Sequence, residues 1–202
     1  MGNYNKDAPK LPTPPIGNVS PIKPPPADSS FKAFEDKYKK AVVKLEKMAS
    51  VKQICDRITL HKDIYEKVEA KTGVPWFVVA CISSLESGLD LKACLHNGER
   101  IIGTGRKTTL VPKGKGPFET WEEAAIDALG KHSASGWSIG YCLDFLEKYN
   151  GLGYRRRGIP SPYVWSFTDQ YTKGKYVADG VFNPDAVSGQ CGAAAIMKGL
   201  GI

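Results

Sequence analysis

A mainly α-helical body with a small β-hairpin lobe, preceded by an extended proline-rich arm, is the fold class predicted for this 202-residue chain. Three observations carry that expectation. Eight of the 14 prolines lie between Pro9 and Pro26, where almost no residue is fit for a core. From Phe31 onward, apolar residues recur at helical spacing in successive blocks. Between two of those blocks, residues 95–118 lose that period and gain Asn-Gly, further glycines and β-branched pairs, the composition of a hairpin or small irregular sheet. The expected division is an arm over 1–30 and one α+β domain over 31–202.

Consecutive prolines fix φ and remove backbone donors, so the arm is expected to populate polyproline II and extended states. Phe31, Phe34, Tyr38, Val42, Leu45 and Met48 follow at three- and four-residue steps behind Ser29 and Ser30, which predicts a surface helix with its lysines facing water. Ile54, Ile58, His61, Ile64, Tyr65 and Val68 form a second amphipathic stretch ended by Gly73, with His61 a half-buried structural histidine. The third helix differs in kind. Pro75 suits a first helical position, and 76–82 is apolar on every side, which places this helix at the centre of the core. After the expected hairpin, Thr120 and Glu123 have the spacing of a capping box for a helix to Leu129, and another helix is expected over 138–149. A loop of about thirty residues, rich in aromatics, follows; loops so long inside a compact domain are usually functional or held by a partner. A small-residue helix over 187–200 closes the chain.

Composition narrows the possible functions. The chain carries 28 Lys and Arg against 21 Asp and Glu, a net charge of +7, and favours a polyanionic partner. No apolar segment near Met1 has the form of a secretory signal, and no run is long enough to span a bilayer, so synthesis without a signal peptide in a host cytoplasm and no membrane insertion are expected. The odd, scattered set Cys55, Cys81, Cys94, Cys142 and Cys191 suits reduced core thiols. No ligand spacing joins His61, His96 and His132, so neither metal nor cofactor is expected.

The chemistry concentrates where the central helix ends, at Leu85-Glu86-Ser87-Gly88. Desolvation and the negative end of the helix macrodipole both disfavour a carboxylate anion there, which is the circumstance a general acid requires. Acid-catalysed glycoside cleavage needs such a carboxyl beside the scissile oxygen, and a second carboxylate, a positioned water or a group of the substrate to deal with the oxocarbenium-like carbon. Glu99 in the expected hairpin is the best second carboxylate by location, with Asp90 on the connecting turn; Thr104, Thr108 and Thr109 are candidates to orient a water.

The segment 83–88 (SSLESG) resembles the catalytic-glutamate helix of the lysozyme superfamily, and 149–151 (YNG) resembles the Tyr-Asn element of goose-type lysozymes and soluble lytic transglycosylases. Residues 95–118, 120–129 (TWEEAAIDAL), 148–180 (KYNGLGYRRRGIPSPYVWSFTDQYTKGKYVADG) and 190–198 (QCGAAAIMK) extend the resemblance to a family of phage and bacterial lysozyme-like muralytic proteins. The resemblance implies a lysozyme-like domain in which Glu86 is the general acid on the β-1,4 bond between N-acetylmuramic acid and N-acetylglucosamine. It also implies that Tyr149 and Asn150 line the cleft and that Tyr163 and Tyr171 contact sugar. The family often has Asn-Gly-Asp where this chain has Asn97-Gly98-Glu99, which keeps the carboxylate and lengthens it by one methylene. Both hydrolysis and lytic transglycosylation remain open, because the latter needs no base to activate water.

The residues agree with that implication. Sugars are held on aromatic platforms with polar side chains nearby, and the long loop offers Tyr154, Tyr163, Trp165, Phe167, Tyr171 and Tyr176. The run Arg155-Arg156-Arg157 and the group Arg100, Arg106, Lys107, Lys113 and Lys115 would face anionic peptidoglycan. Three other classes weigh less. A nucleic-acid binder would interleave its basic and aromatic residues in a recognition motif, which is not seen. A cysteine peptidase or amidase would need Cys94 and His96, two residues apart, to adopt nucleophile-base geometry. A structural virion or tail protein that kept the fold with its activity secondary or lost is the main alternative, and the arm over 1–30 is its best argument, as a strap to phage tail or other virion proteins. The function expected is therefore a peptidoglycan-cleaving glycosidase acting at the cell wall in phage lysis or cell entry.

Overall fold

The computed structural model describes residues 29–178 and 180–202; the proline-rich arm as far as residue 28, with its expected extended conformation, lies outside them. Among the described residues the chain is mainly helical with one small antiparallel sheet. The all-apolar run after Pro75 forms α4 (Trp76–Ser87), buried from Val78 to Leu85. It packs against α3 (Lys62–Thr72), α6 (Ile139–Asn150) and α9 (Ala193–Gly199). Pro75 is the N-cap rather than the first helical residue, and Gly88 closes the helix in the left-handed region at φ 63°.

Around this centre lie α1 (Ser29–Lys40), which packs on α6, α2 (Met48–Leu60), which packs on α9, and α5 (Trp121–Leu129), which packs on α3. The sequence signal at one helix start is realised, and a second start is capped by a side chain. Thr120 and Glu123 form a reciprocal capping box on α5, and the Ser138 hydroxyl accepts from Tyr141 N at 3.2 Å on α6. All five cysteines are free and buried. No helix of the described residues is long and apolar enough to cross a membrane.

Four expectations are corrected. The helix expected to run from Phe31 through Met48 ends at Lys40. Beyond it the backbone of Val42 and Lys44 bonds to Phe167 and Asp169, leaving Val42, Leu45 and Met48 exposed. The second amphipathic stretch divides at His61 into α2 and α3. The hairpin is not at 95–118 but at the end of the expected long loop, as β1 (Lys175–Ala178) paired with β2 (Val181–Asn183). That loop also contains two single turns, α7 (Gly153–Arg156) and α8 (Pro162–Trp165). Residues 95–118 form turns instead, because Asn97, Glu99, Thr104 and Thr108 spend their side chains on nearby backbone groups that a strand ladder would otherwise pair. The last helix starts at Ala193, six residues later than its composition suggested.

Candidate active site

Glu86 is the penultimate residue of α4 and is half-buried. Its turn is held from several sides. The side chain of Gln190, just before α9, donates from Nε2 to Leu85 O at 2.6 Å, and Arg57 of α2 donates from Nη2 to Gly88 O at 2.9 Å. Leu89 follows at φ 63°, a conformation rare for a residue with a Cβ, and its side chain is buried. Backbone of this kind persists where the surrounding structure over-determines it, and such places cluster at functional sites.

Two tyrosines converge on the glutamate. Tyr163 of α8 donates its hydroxyl to Glu86 Oε1 at 3.2 Å. Burial, and then the Glu86 charge, hold the Tyr163 phenol well above its ordinary value, so it stays a donor. Tyr149, in the last turn of α6, donates to Leu95 O at 3.1 Å and is pushed upward by burial and by the same Glu86 charge. Asn150 is half-buried at the end of α6 beside it. A half-buried carboxyl with a phenolic donor on one oxygen is held in one orientation.

Glu99 is placed differently. Its carboxylate accepts from Thr109 N at 3.0 Å, Thr109 Oγ1 at 2.6 Å, Leu110 N at 3.0 Å and Asn97 Nδ2 at 2.8 Å. Desolvation opposes its ionised form, but these donors outweigh it and hold the carboxyl below its ordinary range. Glu99 therefore ties the Asn97–Glu99 turn to residues 109 and 110. Thr108, expected to orient water, is buried; its hydroxyl donates to Pro112 O at 2.5 Å and accepts from Lys115 N at 2.9 Å. Thr104 is exposed, with its hydroxyl bonded to Ile101 O at 2.7 Å. Asp90 lies on the expected turn and pairs with Arg100 at 3.1 Å.

Most of the rings expected to form a sugar platform, Tyr163 among them, lie inside the fold. Tyr154, Trp165, Phe167 and Tyr171 are buried. The Tyr171 hydroxyl donates to Gly174 O and accepts from Ser188 N, and that of Tyr154 accepts from Tyr176 N, so both brace the fold around β1. The triple arginine is divided too. Arg155 turns inward to Asp144 and Glu147, two buried carboxylates of α6, while Arg157 lies over the rings of Tyr176 and Phe182. Sequence reading missed Asp144 and Glu147; their three-residue spacing on one helix face was visible, but their inward direction was not.

Cys94 and His96 have separate partners. The Cys94 thiol, raised by burial, donates to Asn97 Oδ1 at 3.3 Å. His96 stacks on Phe118 and meets Asp127 at 2.7 Å; burial of the ring outweighs that carboxylate and lowers the imidazole below its ordinary value. Among the described residues, no group of His, Cys, Asp and Glu is placed to hold a metal ion. Comparison of the chain with protein-family models, characterised proteins and solved structures gave no match.

Proposed function

We propose that the chain is a peptidoglycan-cleaving glycosidase with a lysozyme-like domain, in which Glu86 protonates the oxygen of the β-1,4 bond between N-acetylmuramic acid and N-acetylglucosamine. The observation that carries this reading is the Tyr163 to Glu86 hydrogen bond, which orients the carboxyl at the end of a buried helix. The sequence resemblance around 83–88 and 149–151 falls on the ends of α4 and α6, which carry Glu86 and Tyr149. Once the proton has moved to the leaving oxygen, the muramic acid C1 carries the developing positive charge. Glu99, engaged by four donors and held below its ordinary range, is a weak base for activating water. That favours closure by the substrate's own 6-hydroxyl, with ionised Glu86 taking back the proton and leaving a 1,6-anhydro end.

The proline-rich arm favours carriage on a phage particle for cell entry over free release at lysis. A purely structural virion role is the competing reading. The test is clearing of a purified peptidoglycan suspension. Glu86→Gln should lower the rate by about 10²- to 10⁴-fold, the usual worth of a general acid, at unchanged melting temperature. Clearing by this variant at the wild-type rate, or none by the wild type, defeats the proposal. Product masses lighter by one water than those of hydrolysis identify the anhydro route.

A further inference from the structure

Away from Glu86, residues 103–114 form an exposed excursion of the chain, in which Thr108 is buried and Pro112 half-buried. Thr108 closes its base. The Thr108 N–H donates to Lys115 O at 2.9 Å, its carbonyl accepts from Gly114 N at 2.9 Å, and its hydroxyl donates to Pro112 O at 2.5 Å. At the tip stand Leu110 and Val111, adjacent aliphatic side chains that are 57% and 58% exposed. A Cβ at Gly105 or at Gly114 would meet nothing within 4 Å, so space is open on both flanks of the tip.

The tip is braced as well as exposed. Leu110 donates from N to Glu99 Oε2 at 3.0 Å and accepts at O from Asn97 Nδ2 at 3.2 Å, and Pro112 has no N–H to satisfy. The backbone of Leu110 is thus paired inward while its side chain faces outward. That suits entry into an apolar medium, where an unpaired backbone group is costly. The charge around the tip has one sign: residues 100–118 contain five basic residues and no acidic one. Arg100 is paired with Asp90 and Lys115 with Asp127, and Arg106 donates to Arg100 O. Lys107 and Lys113, which bracket the aliphatic pair, are exposed and meet no carboxylate among the described residues. A polyanion in water, such as peptidoglycan or nucleic acid, would take these two lysines and leave the aliphatic pair unused, and the excursion offers no ring on which a sugar or base could stack. A bilayer rich in anionic phospholipid takes both: its phosphates meet the lysines, and the aliphatic side chains enter the boundary between headgroups and acyl chains.

We infer that residues 107–113 are a docking tip for the surface of an anionic phospholipid bilayer, with Leu110 and Val111 entering it and Lys107 and Lys113 on its phosphates. The contact is peripheral, since only side chains enter, and it stands independently of the glycosidase reading. The experiment uses the full chain and two kinds of vesicle, phosphatidylcholine alone and phosphatidylcholine with an equal part of phosphatidylglycerol, with binding read by co-sedimentation. The mixed vesicles should bind at least about tenfold more tightly, because each lysine near such a surface is worth about fivefold. Leu110→Ser combined with Val111→Ser should lower that affinity about tenfold at an unchanged melting temperature, and should leave the clearing of lipid-free peptidoglycan as in the wild type. Brominated acyl chains should quench the added indole of Val111→Trp beyond the quenching of the four native indoles in the wild type. Equal binding to the two kinds of vesicle overturns the inference, and so does an added indole that bromine leaves unquenched. Binding to mixed vesicles that survives the two serines overturns it as well, by assigning the attraction to the general charge of the body. Serines that weaken sedimentation with peptidoglycan sacculi and spare the vesicles would make the tip a wall contact instead.

Discussion

Glu99 shows how one side chain can carry the right charge for a role and be committed to another. Four donors reach its two oxygens, and the turn they close joins Asn97 to Leu110. A carboxyl held below its ordinary value of 4.5 binds protons less readily folded than unfolded. Its stabilisation is therefore fully present above that value and is lost as pH falls through the lower folded value. Glu99→Gln should lower the melting temperature by a constant amount above about pH 5, and the gap should close in more acid solution. A gap that stays constant on acidification would contradict the assigned role. Glu86 was legible in the sequence because its position at the end of an apolar helix is itself the signal. The commitments of Glu99 and Thr108 were not, since they depend on which backbone groups a glycine-rich segment leaves unpaired. The burial of Tyr154 and Tyr171 was not legible for a related reason: residue type says that a ring is amphipathic, and only packing says which way it faces.

Helices whose ends carry their own chemistry were readable, and those ended by tertiary contacts were not. The capping box of α5 and the serine cap of α6 act through local hydrogen bonds. The end of α1 is decided by residues more than a hundred positions away, where Val42 meets Asp169 at 2.9 Å. The hairpin was assigned to the wrong glycine-rich segment because turn residues mark a bend without saying whether a ladder follows it. The packing of α1 on α6 rests on one small residue. A Cβ at Gly140 would lie 2.0 Å from Phe31 O, so Gly140→Ala must push α1 outward. Overpacking of this kind costs about 1 to 3 kcal/mol. Thermal unfolding should show that loss, with faster proteolysis within α1. Gly189→Ala is the control, because a Cβ there meets nothing within 4 Å. Equal stability of the two variants would show that α1 is not held at this contact.

The molecule as a whole combines a charged body with a segment of different composition. Residues 1–28 contain Lys6, Lys10 and Lys23 against Asp7 and Asp28, so six of the seven net positive charges belong to the rest of the chain. The described residues also close on themselves: the Tyr38 hydroxyl of α1 donates to Ile202 O at 3.0 Å, and Lys198 lies over the Tyr38 ring. Among the described residues, the core cluster reaches α1 through Tyr38, with Phe34 packed against it. Attraction to anionic peptidoglycan should then be a property of the body, weakening as salt shortens the screening length to about 10 Å at 0.1 M. Deleting residues 1–28 should leave the melting temperature, the clearing rate and the salt dependence of that rate as in the full chain, and should abolish attachment to a phage particle if that is the arm's role. Should the truncated chain melt cooperatively at the full-length temperature yet clear nothing, the arm would belong to the enzyme, since stability alone would have survived its removal.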